Sequence, residues 1–118
     1  MESLLEPITE ELVQRIAKII ADNFDPVRII LFGSVARGDF GKNSDINILV
    51  VVDRQFSPEN SRTDLATAMR RSIKAIVALD IAVYNMTEFE ECRTSINHEV
   101  GRALREGRVL YERESTDS

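Results

Sequence analysis

Three short stretches hold the residues that could do chemistry. Gly33-Ser34 follows a β-branched run, Val27 to Phe32. Glycine there lets the backbone turn sharply and come close to a ligand. A serine opening a short helical turn sets a hydroxyl beside backbone N–H groups, a small anion site. The same dipeptide also serves as an ordinary turn. Ten residues later comes Asp45-Ile46-Asn47, at the head of the run INILVVV. Side chains alternate along a strand, so Asp45 and Asn47 share a face and can converge on one cation. Magnesium takes carboxylate oxygens and keeps water or phosphate as its other ligands. Equally, Asp45 could cap a turn and Asn47 fill the start of a strand. The third stretch is LDIAVY, where Asp80 points away from the apolar face of Leu79, Ile81 and Val83. A charge on such a strand is costly unless it is paired, exposed or metal-bound. Arg37 and Lys42 lie between the first two stretches and could neutralise phosphates, or stand as solvated loop cations.

The elements that must position these residues are legible from periodicity. Leu12, Ile16, Ile19, Ile20 and Phe24 repeat at helical spacing, with Thr9 as N-cap, and Asp25-Pro26 ends that helix. Residues 27–32 and 46–52 read as strands, the second buried on both faces. Ser57-Pro58-Glu59 predicts a helix start, continued by Leu65, Met69, Ile73 and Ile76 to about Val77. A strand follows at 79–84, then a capping box at Thr87-x-x-Glu90. A last helix over about 96–106 ends at Gly107, a residue suited to a left-handed cap. RVLYE, 108–112, closes the chain as a strand or an extended arm. The fold class is α/β or α+β, a small mixed central sheet flanked by helices. Residues 1–112 read as one domain and 113–118 as a disordered tail. The link of about 13 residues between the first two strands is long for a hairpin, and such loops are often functional.

Composition narrows the functions. The chain has 118 residues, 43% hydrophobic and 30% charged, with a net charge of −5. That balance opposes life on duplex DNA, which needs a basic footprint. It permits a nucleotide, whose charge a metal ion and a few donors can meet. No apolar run has the roughly 18 residues of a membrane span, and no secretory leader is visible at the N-terminus. The single cysteine, Cys92, allows no internal disulfide and fits a cytoplasmic location. Cys92 reads as a small hydrophobe, and His98, the one histidine, as a surface or half-buried residue.

The string GSVARGDFGKNSDIN, with Asp80 beyond it, resembles the signature of the minimal nucleotidyltransferases of the DNA polymerase beta superfamily. Their pattern is Gly-Ser, ten residues, Asp-x-Asp, and a third Asp on a later strand. Length, strand order and the ending EGRVLYER are similar to small bacterial members, so the resemblance covers most of the chain. It implies the DNA polymerase beta-like nucleotidyltransferase fold and a two-metal transfer of a nucleotidyl group from a nucleoside triphosphate to a hydroxyl. On that reading Gly33 and Ser34 hold the phosphates, supplemented by Arg37 or Lys42. Asp45, Asn47 and Asp80 take the metal-ligand positions, and Asp80 also serves as base or acceptor-orienting acid. Small stand-alone members resemble antitoxins that attach AMP from ATP to a tyrosine of a partner HEPN ribonuclease toxin. A homo- or hetero-oligomer is compatible with that role.

Asn47 departs from the family pattern, which has aspartate there. An amide oxygen still ligates magnesium, but one negative charge is missing opposite the dications, and activity should fall. A second function follows from that loss. The chain would then act as a binding module that neutralises its partner by contact, using Arg102, Arg105, Arg108, Leu110 and Tyr111. Leu110 is expected instead to pack on the chain's own core. A third function is transfer to a small molecule or an RNA end. The relatives that do so usually carry further domains, and 6% aromatics with an acidic balance give no stacking groove.

Overall fold

A computed structural model describes residues 6–38 and 45–113. The order is α1 (Glu10–Phe24), β1 (Arg28–Phe32), β2 (Ile46–Val52), α2 (Arg62–Ser72), β3 (Leu79–Asn85), α3 (Met86–Cys92), α4 (Glu99–Glu106) and β4 (Arg108–Glu112). The strands form one sheet in the order β3-β2-β1-β4. β1 runs antiparallel to both β2 and β4, whereas β2 and β3 are parallel. A parallel pair needs a crossover, and α2 supplies it. The mixed sheet flanked by helices is the architecture the sequence predicts.

The sheet is covered on both faces. Ile46, Ile48, Val50 and Val52 pack with Leu12, Val13, Ile16 and Ile20 of α1 and with Leu65 and Met69 of α2. Leu49 and Val51 point the other way, with Ile30, toward Phe89 of α3 and Val100 and Ala103 of α4. β2 is therefore the central slab, buried from Ile48 to Val52. Its apolar residues on both faces explain why it reads as a continuous hydrophobic run. Along β2, Asn47 belongs to the α3/α4 face, and Asp80 takes the corresponding face of β3.

Several element ends differ from the sequence expectation. α1 is capped as predicted, the Thr9 hydroxyl accepting from the Leu12 N–H, and it ends on Asp25 in the left-handed region (φ 46). α2 does not begin at Ser57-Pro58. Residues 57–60 close on themselves, each end donating its N–H to the other's carbonyl at 3.1 Å, and Ser61 caps the helix by accepting from the Asp64 N–H. α2 also stops early, at Ser72, and Ile76 is 58% exposed rather than part of the buried face. α3 is capped two residues sooner than Thr87, because β3 extends to Asn85 and Asn85 forms the capping box with Glu88. α4 begins at Glu99, its cap the His98 Nδ1 accepting from the Val100 N–H.

Gly107 ends α4 as expected but with extended backbone (φ −90), not a left-handed turn. Its need for glycine is spatial. A Cβ there would meet the backbone oxygen of Ala103 and lie 2.6 Å from that of Leu31. Of the tail, Arg113 donates its N–H to the Val27 carbonyl at 2.9 Å, and residues 114–118 lie outside the described residues. Among the described residues no helix is long and apolar enough to cross a membrane.

Candidate functional site

The site is built where β1 ends and β2 and β3 begin. β1 runs out at Phe32, whose register partner on β2 is Asn47. Gly33 then takes φ +82, a conformation that L side chains rarely adopt. The chain winds into a helical turn, with the Arg37 N–H donating to the Ser34 carbonyl at 3.1 Å and the Gly38 N–H to the Val35 carbonyl at 3.0 Å. Val35 is buried in the α1/α2 core and anchors that turn. Ser34 therefore stands at the start of a helical turn directly beyond a buried strand, the geometry an anion cradle needs.

Gly33 is also the floor under Asn47. A Cβ built at Gly33 would lie 2.8 Å from the Asn47 Nδ2 and 3.6 Å from its Cγ. A side chain at Gly33 would have to displace the end of the Asn47 amide, on top of the strain of φ +82. On its other side Asn47 is the register partner of Asp80 across the parallel β2–β3 ladder. Asn47 thus sits between the Gly33 turn and Asp80. Asp45 is exposed one residue before β2, on the Asn47 face by strand alternation. Asp80 is exposed on the outermost strand, as a solvent-facing charge should be.

The structure thus brings Gly33, Ser34, Asn47 and Asp80 to one end of the sheet, with Asp45 at the same strand end. Arg37 follows on the cradle turn and is exposed. Lys42 lies outside the described residues, as does the rest of the segment 39–44. Among the described residues no three His, Cys, Asp or Glu side chains form a metal-holding group. That follows from residue 47, since the three positions carry two carboxylates and one amide. All three offer oxygen, the donor type hard divalent cations prefer, so the donor set fits magnesium in kind while lacking one unit of charge.

Sequence reasoning missed what adjoins Asp80. A groove of about 620 Å³ runs between α2 and the outer edge of β3, with Asp80 at one end and Tyr84 and Glu99 at the other. At the far end the Arg62 guanidinium lies over the rings of Phe56 and Tyr84 and pairs with Glu88. Burial raises the Glu88 carboxyl, but the Asn85 N–H and the Arg62 guanidinium outweigh it and hold Glu88 below the ordinary carboxylate value. The Tyr84 hydroxyl donates to Glu99 at 2.6 Å, and burial together with that bond pushes its pKa up.

Of the contact surface expected on α4 and β4, Arg102, Arg105 and Arg108 stay exposed, and Leu110 and Tyr111 are half-buried. Arg108 holds Glu10 through two bonds of 2.8 and 3.0 Å, which keeps the Glu10 carboxyl low. Arg105 donates to the Ile96 carbonyl at 2.9 Å. Leu110 and Tyr111 pack against the main core, as expected for Leu110. Arg102 is exposed, and His98 and Cys92 are half-buried.

Comparison with known proteins agrees with this geometry. Residues 13–110 match the family model described as a nucleotidyltransferase domain. Two curated relatives come from Methanocaldococcus jannaschii. "Putative protein adenylyltransferase MJ0141" is 32% identical over 80 residues, covering 68% of this chain and 79% of its own length. "Putative protein adenylyltransferase MJ0604" is 41% identical over 86 residues, covering 71% and 77%. Among solved structures, a putative nucleotidyltransferase from Sulfolobus solfataricus superposes with a TM-score of 0.58 at 24% identity, over 87% of this chain and 79% of that one. A chain of the MntA-HpeT toxin-antitoxin complex does so with a TM-score of 0.52 at 21% identity, over 91% and 76%. These structural likenesses speak to the fold.

Proposed function

This chain belongs to the nucleotidyltransferase domain family, and from that premise we propose that it is an antitoxin-type protein adenylyltransferase. It transfers AMP from ATP to a tyrosine hydroxyl of a partner HEPN ribonuclease toxin in the cytoplasm, and so silences it. The observation that carries the proposal is the meeting of the Gly33-Ser34 turn, strand position 47 and Asp80 at one end of the sheet. The names of the two archaeal relatives support protein as the acceptor, and the toxin-antitoxin neighbour supports the kind of partner.

In this reading the Gly33-Ser34 turn receives the phosphates through its backbone N–H groups and the serine hydroxyl, with Arg37 and Lys42 adding charge. Asp45, Asn47 and Asp80 hold magnesium, which supplies charge neutralisation at the phosphates. The acceptor phenol approaches from the side of Asp80, whose carboxylate takes the phenolic proton. The phenolic oxygen bonds to the α-phosphorus, the bond from that phosphorus to the bridging oxygen breaks, and pyrophosphate leaves. Asn47 keeps the shape of the site and lowers its affinity for cations.

The test uses the purified chain, its Asn47→Asp variant, the HEPN partner, ATP and magnesium, read by intact mass. The expected outcome is addition of AMP units to the partner, faster with Asn47→Asp. No mass change with that variant at saturating ATP refutes the transferase reading. Asn47 itself favours a second reading, a catalytically silent binding module. That reading requires a stable complex that survives Asp45→Ala and no transfer by Asn47→Asp.

A further inference from the structure

We propose that the groove between α2 and β3 is the docking channel for an extended, acid-bearing polypeptide segment of the acceptor, delivered along the strand edge to Asp80. The inference deepens the proposed function and rests on it. One stripe of α2 forms a wall of the groove: Arg62 and Thr63, then Thr67 one turn on, then Arg70 and Arg71. From 62 to 71 a helix rises roughly 13 Å, the reach of about four extended residues.

The opposite wall is the open edge of β3. Arg62 Nη1 donates to the Val83 carbonyl at 3.2 Å, and Arg70 donates to those of Leu79 and Val77. The Leu79 and Val83 carbonyls therefore point away from β2. Strand alternation places the N–H and carbonyl of Ile81 on that same edge, between the two arginines. A single pair of backbone bonds at Ile81 would seat an incoming strand. Pairing of that kind recognises a polypeptide backbone and has no counterpart in RNA.

Charge selects the side chains of that segment. Arg62 is matched by Glu88, but Arg70 and Arg71 make no ion pair among the described residues. They stand beside threonine hydroxyls on a chain whose net charge is −5. Both arginines lie at the Asp80 end, since Arg70 bonds to Leu79, the residue before it. An acceptor with carboxylates flanking its tyrosine would meet Arg70 and Arg71 just as its hydroxyl reached Asp80.

The test is a ¹⁵N NMR titration of the full chain, without ATP or metal. The probes are the capped peptides Glu-Glu-Tyr-Glu-Glu and Lys-Lys-Tyr-Lys-Lys and an RNA tetranucleotide. The acidic peptide should move the amides of Ile81, Ala82, Thr67 and Arg71 and bind more tightly than the lysine peptide. Arg71→Glu, at an exposed position, should weaken it roughly fivefold, the factor an exposed ion pair at the strong end of measurement supports. Arg54→Glu, outside the groove, should leave it unchanged. No shift at Ile81, equal binding of the two peptides, indifference to Arg71→Glu, or tighter binding of RNA at the same amides overturns the proposal. If the peptide docks while Asn47→Asp transfers no AMP, the transferase reading falls and the groove stands. If AMP is transferred while Arg71→Glu changes nothing, the groove alone falls.

Discussion

Replacing Asn47 with aspartate sets a second carboxylate beside Asp80, and the strand register sets its cost. Asn47 lies opposite Asp80 on a parallel neighbour, and such strands run about 4.8 Å apart. Asn47→Asp therefore creates a like-charge pair at roughly 5 Å. Coulomb's law gives about 0.8 kcal/mol for that pair in water and about 3 kcal/mol at an effective dielectric of 20. Asp80 is exposed and Asn47 half-buried, so about 1 kcal/mol is the working value. Asp45, on the same face, adds repulsion of the same sign. In EDTA the variant should melt about 4 °C below the parent chain. Magnesium should reverse the order. The added carboxylate attracts the cation, and recovery of about 1.4 kcal/mol corresponds to tenfold tighter binding. Thermal unfolding of both chains, in EDTA and across a magnesium series, reads both effects without any acceptor. An Asn47→Asp chain that melts like the parent in EDTA and gains nothing from magnesium would refute a shared cation site at residues 45, 47 and 80.

Other changes probe the supports. Gly33→Ala places a side chain at φ +82, costing about 1–2 kcal/mol, and pushes on Asn47 as well; urea unfolding should show the loss, and nucleotide binding should weaken with it. Gly107→Ala drives a methyl into two backbone oxygens that cannot yield, so a loss of about 1–3 kcal/mol is expected by the same measurement. Glu88 has a depressed pKa, so its contribution to stability is present above the ordinary value of 4.5 and is lost as pH falls through the lower folded value. Arg62→Met should flatten that acid limb in unfolding curves taken below pH 4.5 and leave the neutral-pH slope unchanged. Tyr84→Phe removes the donor to Glu99 and should cost about 1 kcal/mol, read from the denaturation midpoint.

Much of the sheet was legible in the sequence because burial on two faces leaves an unbroken apolar run, and β2 spans the residues expected of it. The candidate site stood out because Gly33-Ser34, Asp45, Asn47 and Asp80 are residue types suited to phosphate and cation binding, and the strand register brings positions 33, 47 and 80 to one end of the sheet. Helix starts were less so. Ser57-Pro58 and Ser61 both carry start signals, and only the closed turn at 57–60 decides between them. Asn85-x-x-Glu88 and Thr87-x-x-Glu90 are likewise two boxes in one stretch, and the length of β3 selects the first. Histidine is an uncommon cap, so α4 could not be started at His98 from composition. The groove was hidden because it depends on which edge of β3 faces α2, a tertiary fact that spacing on either element alone does not hold.

The position of β3 at the rim of the sheet has an energetic consequence. β2 is held on both sides, whereas β3 has one strand neighbour and is buried at only Val83 and Asn85. The Phe32–Asn47 pairing closes a loop of 15 residues (47 − 32), and the Asn47–Asp80 pairing one of 33 (80 − 47). The longer closure costs about 0.7 kcal/mol more in chain entropy. A rim strand such as β3 can open at a free energy below that of global unfolding. Such an opening removes Asp80 while the Gly33 turn and Asn47 stay in place. In the proposed function, the turn that would take the phosphates and the strand that would take the acceptor thus belong to units of different stability, and a partner that adds to the rim strand would raise the weaker one.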